Sequence, residues 1–304
     1  MNINTDKKHV ALLKGGLSAE RDVSLSTAKS VSEALNNLGY KVTEIDVSWD
    51  VQSKLLEANP DVVFNALHGT YGEDGCIQGV LEFLRIPYTH SGVLSSSVAM
   101  HKPTAKILFE SVGIKCANGG VYNREQILSG DVIDRPYVIK PVDEGSSVGV
   151  LIVFQGDDLN NETIPDGNEF LIEEFIEGKE LTSAVLGDES IGVIEIVPKD
   201  GFYDYRNKYT EKMTEYIIPA QIDENIYNKI MDYALQAHRV LKCNSLSRSD
   251  FRLSDEGEIY ILETNTHPGM TSTSLVPKLA KNYGMSFEDL IENIINSAKL
   301  NNGV

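Results

Sequence analysis

Apolar and polar positions change period along the chain, and the first third carries two of those periods in turn. The apolar run His9 to Leu13 reads as a strand; Val23, Ala28, Val31, Leu35 and Leu38 then recur at helical spacing until Gly39 stops them at a C-cap position. Strand-like runs follow at Lys41 to Val47 and Asp61 to Leu67. That order predicts βαβ units, and so a parallel sheet with right-handed crossovers whose ligands gather at the carboxyl ends of the strands. Gly15-Gly16 and His68-Gly69 stand at that edge.

From about Pro136 strands follow one another through short turns: Tyr137 to Lys140, Val150 to Phe154, Phe170 to Ile176, Leu181 to Leu186 and Ile191 to Val197. Antiparallel sheet is the expectation. A helix at Glu224 to Leu241 presents Ile226, Ile230, Tyr233, Ala234, Ala237 and Val240, and strands follow at Ser249 to Leu253 and Glu258 to Thr264. Amphipathic helices near Ser274 to Tyr283 and Ser286 to Ala298 close the chain. No repeat and no Pro- or Ser-rich linker interrupts it.

Composition narrows the class. With 304 residues and 41% hydrophobic content the chain can build two or three cores. Its 45 acidic against 27 basic side chains, net −18, would repel a phosphate backbone, so nucleic acid is not an expected partner. The acidity serves solubility and leaves the substrate open, because local Lys and Arg can still hold an anion. Met1 to Leu13 carries no leader-like apolar stretch and no run reaches the roughly 18 residues of a membrane span, which predicts a cytoplasmic protein without membrane contact. Cys76, Cys116 and Cys243 are far apart and lack CxxC spacing; we read them as reduced packing residues, not a disulfide or zinc framework.

Five stretches carry candidate chemistry. In Asp143-Glu-Gly-Ser-Ser-Val-Gly149, small residues let backbone N–H groups wrap phosphate oxygens, with Ser146 and Ser147 adding hydroxyls. Alone it reads more readily as a plain surface hairpin, and it lacks the P-loop spacing. Asp250 on one strand, and Glu263 and Asn265 on the next and on one face, are hard ligands suited to a pair of Mg2+ ions; buried carboxylates without cations would be costly. Arg248 shares that face and can stabilise an oxyanion, or form a salt bridge. Glu263 to Pro277 continues through Pro268-Gly269, read as a tight turn, into Thr and Ser residues at a helix start, suited to a substrate carboxylate or to plain capping. Gly15 to Ser24 places Glu20 in a first helical turn, where it can hold an ammonium group or complement the helix dipole. Tyr203 to Tyr209 is a polar aromatic loop, a candidate lid.

Taken together in order, these blocks resemble the D-alanine–D-alanine ligases of the ATP-grasp superfamily. The resemblance rests on Lys14 to Glu20, Leu67-His-Gly69 with Gly72 to Gly75, Lys140-Pro141 with Glu144 to Gly149, Tyr203 to Tyr205 with Lys208-Tyr209, Arg248 with Asp250, and Glu263 to Pro277. It implies an α/β protein, α+β in its ATP-grasp part. An N-terminal parallel-sheet domain (residues 1–97) would precede a central domain (98–186) and a C-terminal metal-binding domain (187–304), whose antiparallel sheets sandwich ATP. The implied reaction phosphorylates the carboxylate of one D-alanine and joins it to the amine of a second, for peptidoglycan precursors. The implied assembly is a homodimer.

By position, the resemblance assigns Lys102, Lys140, Ser146, Ser147, Glu173, Ile176, Glu180 and Lys208 to ATP. Asp250, Glu263 and Asn265 would hold two Mg2+, with Mn2+ as a substitute. Arg248 and the Gly269 amide would form the oxyanion hole. Glu20 would bind the first ammonium, His68 would lie beside that substrate, Ser146 and Tyr209 would link helix and lid, and Ser274 with Leu275 would hold the second carboxylate. Tyr209 points to an amine nucleophile, since depsipeptide-forming relatives carry His there. His101, Glu174, Asn244-Ser245 and His267 depart from the commoner pattern, and His267 has no assigned role. The competing readings are another ATP-grasp carboxylate–amine ligase and a nucleotide-binding module without turnover.

Overall fold

The computed structural model describes residues 7–145, 149–199, 214–271 and 273–301. Its first unit is a parallel sheet of β1 (His9–Gly15), β2 (Lys41–Val47) and β3 (Val62–Asn65) in the order β2-β1-β3. Helices α1 (Arg21–Asn37) and α2 (Val51–Ala58) make the crossovers. Helix α1 turns Ala28, Val31 and Leu35 into the core and ends where Gly39, at φ +82°, takes the left-handed backbone. Glu20 is the N-cap of α1, one place before the first turn expected for it, and its side chain makes no capping bond.

Helices α3 (Cys76–Leu84), α4 (Val93–Met100) and α5 (Lys102–Ser111) lead to a four-stranded antiparallel sheet. It contains β4 (Gly119–Asn123), β5 (Tyr137–Pro141), β6 (Leu151–Val153) and β7 (Glu169–Glu174) in the order β4-β7-β5-β6, with α6 (Arg124–Leu128) between the first two. A five-stranded antiparallel sheet follows: β8 (Lys179–Leu186), β9 (Glu189–Pro198), β10 (Thr214–Ile217), β11 (Leu246–Leu253) and β12 (Ile259–Asn265), ordered β10-β9-β8-β11-β12. The sequence pattern had shown neither β4 nor β10. Strand β8 pairs with both β9 and β11, so the limit expected at 186/187 falls inside this sheet.

Helix α7 (Glu224–Val240) is capped by Asp223, whose carboxylate accepts from the amides of Asn225 and Ile226, and it lays Ile230, Ala234 and Ala237 on one face of the five-stranded sheet. Helix α5 shares that face through Ala105 and Phe109. The opposite face, through Ile194, Ile196 and Leu246, joins one core with α8 (Leu275–Asn282), α9 (Phe287–Asn296), α1 and the N-terminal sheet. The chain end therefore returns to its beginning, and Lys299 bridges to Tyr88. This continuous packing fixes the N-terminal strand ends against β11 and β12. Burying one such leucine or isoleucine contributes about 2 kcal/mol.

Cys116 is buried and Cys243 half-buried, as packing residues would be, but Cys76 is exposed at the start of α3. The packing assignment is corrected for that residue. Among the described residues no helix is long and apolar enough to cross a membrane.

Candidate active site

Strands β11 and β12 build the centre of the site. Arg248 lies opposite Asn265 and Asp250 opposite Glu263, so period two puts all four side chains on one face. A bulge beyond Asp250 shifts the register there. Arg248 Nε donates to Asp250 Oδ1 at 2.9 Å and Nη2 to Oδ2 at 2.7 Å. Thr182 on β8 donates to Oδ1 at 2.5 Å and the Asn265 amide to Oδ2 at 3.3 Å. The Glu263 carboxylate makes no hydrogen bond or ion pair within the described residues; it faces the cleft and is the leading charge acting on the Lys102 ammonium.

An open cleft gathers Glu20, His68, Arg248, Glu263, Asn265, Gly269, Ser274 and Leu275. A neighbouring cavity shares Glu263 and Asn265 as a wall and adds Lys102, Glu144 and Gly145. The glycine-serine hairpin thus starts beside the metal-type ligands. A Cβ at Gly145 would lie 3.1 Å from Glu20 Oε1, so a side chain there would crowd the ammonium-type carboxylate. Ser146, Ser147, Lys208 and Tyr209 lie outside the described residues.

His68 bridges Glu73, at 2.9 Å from its Nδ1, and Thr27, at 3.1 Å from its Nε2. Burial lowers its proton affinity, but Glu73 and then Glu20 outweigh this and hold its pKa above the ordinary value. Glu73 was read as part of a motif without a role; its place in the cleft follows from the Gly72 to Gly75 turn, which sequence alone did not orient.

The nucleotide candidates fall into two groups. Lys102 opens α5, buried, and its ammonium is tied to the Glu144 carbonyl. Burial depresses its pKa against the opposing pull of Glu263. Away from both cavities, Glu173 on β7 is paired with Lys140 of β5 at 2.7 Å and with Lys106 of α5. Burial raises the Glu173 carboxyl, but the two lysines prevail and hold it below the usual range. Arg252, which sequence reasoning passed over although it continues the face of Arg248 and Asp250, clamps the link from β7 to β8. It donates to the Ile176 and Gly178 carbonyls at 3.0 Å and meets Glu180 at 3.4 Å. Glu174 accepts from the Asn118 backbone and side-chain amides.

The bend after β12 falls at Thr266 and His267, just before the Pro268-Gly269 pair expected to make it. Ser274 is the N-cap of α8 without a capping bond; its hydroxyl instead accepts from the Thr271 amide at 3.0 Å. A Cβ at Gly269 would sit 3.0 Å from that hydroxyl, so the turn packs closely on the helix start.

The donor set of two carboxylates and an amide oxygen fits a hard divalent cation, provided Asp250 exchanges or shares its arginine contacts. Among the described residues no group of three or more His, Cys, Asp or Glu offers an alternative site.

The matches to known proteins follow this layout. Residues 46–91 match the family model described as D-ala D-ala ligase N-terminus, and residues 121–296 that described as D-ala D-ala ligase C-terminus. A D-alanine--D-alanine ligase of Parvibaculum lavamentivorans is 51% identical over 300 residues, covering 96% of this chain and 97% of its own. Among solved structures, the D-alanine--D-Alanine Ligase from Bacillus anthracis complexed with ATP superposes with TM-score 0.78 at 29% identity, covering 95% of this chain and 96% of that one. The VanG D-Ala:D-Ser Ligase from Enterococcus faecalis gives 0.78 at 30%, covering 95% and 99%. End-to-end identity of this size, with both family regions in order over the two-strand acidic face, makes the chain a member of the D-alanine–D-alanine ligase family.

Proposed function

We propose that this enzyme joins two D-alanines into D-alanyl-D-alanine for peptidoglycan precursors, converting ATP to ADP and phosphate. The observation that carries the reading is the shared face of Arg248, Asp250, Glu263 and Asn265 opening on the cleft that holds Glu20 and His68. A carboxylate does not react with an amine until its oxygen becomes a leaving group. The first D-alanine carboxylate oxygen attacks the terminal phosphorus of ATP, the bond to the bridging oxygen breaks, and ADP leaves. The amine of the second D-alanine, having lost a proton, attacks the carbonyl carbon of the acyl phosphate. The tetrahedral adduct then expels phosphate.

In this reading Glu20 holds the first ammonium, with His68 beside it. Arg248 and the Gly269 amide take up the charge on the tetrahedral oxygen, where each preorganised donor is worth about 3 kcal/mol. Ser274 and Leu275 hold the second carboxylate. Lys102, Lys140, Glu173, Ile176 and Glu180 serve the nucleotide, and Ser146, Ser147, Lys208 and Tyr209 complete the hairpin and lid. Asp250, Glu263 and Asn265 would hold two Mg2+, or Mn2+, whose charge offsets that of the phosphates. Positioning and neutralisation do most of the work in such transfers.

We further propose a homodimer in the cytoplasm, and domain limits near 97 and in the Phe175 to Gly178 link. Arg252 anchoring supports that second limit. Sedimentation of the purified chain tests the assembly. The VanG likeness favours a second reading with D-serine as acceptor. Product analysis with D-alanine alone, D-alanine with D-serine and D-alanine with D-lactate separates the two: a D-alanyl-D-serine product in excess would replace the first.

A further inference from the structure

His267 stands between the metal-type strand and the Gly269 turn, and three contacts explain why a histidine suits the place. The Asn65 amide at the end of β3 has its orientation set by two backbone groups: its Oδ1 accepts from the Leu67 amide at 3.0 Å, and its Nδ2 donates to the Gly72 carbonyl at 3.0 Å. The other Nδ2 hydrogen faces His267 Nε2 at 3.0 Å. Nε2 is therefore the acceptor, and the ring proton sits on Nδ1 beside Thr266 Oγ1 at 3.3 Å. The imidazole also lies against His90, ring centroids 4.4 Å apart and planes tilted 37°. Asn65, His90, Thr266 and His267 are all buried.

We propose that His267 is a positioning residue: through Asn65 and His90 it locks the turn carrying Gly269 in register with the loop carrying His68 and Glu73. Leu67 and Gly72, the backbone anchors of Asn65, flank that loop, so one amide side chain ties the ammonium side of the cleft to the oxyanion side across 202 residues of sequence. An apolar side chain could fill the volume. It could not accept the Asn65 hydrogen, and the turn would lose its reference to the N-terminal sheet. The inference rests on the ligase reading above.

The test is steady-state kinetics of parent, His267→Leu, His267→Gln, Asn65→Ala and the Asn65→Ala/His267→Leu double variant. In His267→Leu kcat should fall about tenfold or more, as expected for a slightly misplaced group, while KM for ATP stays within about twofold. His267→Gln, which can still accept, should recover most of the loss, and the double variant should be no slower than the worse single. A folded His267→Leu with parental kcat, a glutamine variant as slow as the leucine one, or additive losses would each overturn the proposal. If His267→Leu does not fold, the Asn65→Ala and His267→Gln pair decides on the same criteria. A parent without D-alanine turnover would defeat the ligase reading separately; amide exchange over residues 266–271 then decides, faster in Asn65→Ala supporting the link and unchanged exchange overturning it.

Discussion

Arg248 holds Asp250 in a two-point grip, Nε on Oδ1 at 2.9 Å and Nη2 on Oδ2 at 2.7 Å, from two places earlier on the same strand face. The arginine thus neutralises a buried carboxylate that a cation would otherwise have to neutralise. In the proposed reading a cation held by Asp250 would leave the guanidinium available for the oxyanion, so that one residue would serve both folding and catalysis.

Arg248→Ala should lower dipeptide formation at least a hundredfold, about the loss of one oxyanion donor. It should also destabilise the nucleotide-free protein by about 3 kcal/mol, because Asp250 is left buried without its main partner. Mg2+ should restore part of that loss by replacing the missing charge. Thermal melts with and without Mg2+ check this; an unchanged melting temperature in both would contradict the dual role.

Glu263→Gln has a different expected signature. The Glu263 carboxylate makes no hydrogen bond within the described residues, so the melting temperature without Mg2+ should shift little. The Mg2+ concentration needed for half-maximal activity should rise about tenfold or more, since an amide oxygen is a poorer ligand for a hard cation. A magnesium titration of initial rate gives the answer.

Glu173→Gln should raise KM for ATP about tenfold with little change in kcat at saturating ATP, because Lys140 and Lys106 lose the charge that holds them in place. A loss confined to kcat would place Glu173 outside nucleotide binding.

Two buried histidines should push stability with pH in opposite directions. His68 is held above its ordinary 6.5, by Glu73 and then Glu20 against burial, so its contribution is present below about 6.5 and is lost as pH rises through the raised value. The stability gap between parent and His68→Gln should narrow as pH rises above about 6.5. His90 is pushed down to about 3, by burial and then by His68, so the folded state resists its protonation. That contribution is present above about 6.5 and is lost toward pH 3, amounting to about 2 kcal/mol by pH 5. His90→Gln should gain on the parent as pH falls from about 6 to about 4. Urea unfolding across the range reads both slopes.

The shared face of the candidate site was legible in the sequence because it depends on local period: Arg248 and Asp250, then Glu263 and Asn265, alternate within single strands. The parallel sheet was legible for the same reason. Strand β4 was not, since Gly119-Gly-Val-Tyr-Asn123 contains no apolar run and lies on a sheet edge, and β10 is only four residues long. The partnership of β8 with β11 is a long-range choice that alternation within β8 does not encode. Long-range pairing also hid the Asn65–His267 bond.

In the proposed reaction this cleft activates the D-alanine carboxylate for attack by a second D-alanine. Phosphate release and dipeptide formation should be followed together in the purified protein with ATP and Mg2+, with D-alanine added or withheld and L-alanine as the control. Release that depends on D-alanine, with one D-alanyl-D-alanine per phosphate and no response to L-alanine, is the expected result. Release indifferent to D-alanine, or phosphate without dipeptide, would contradict the account.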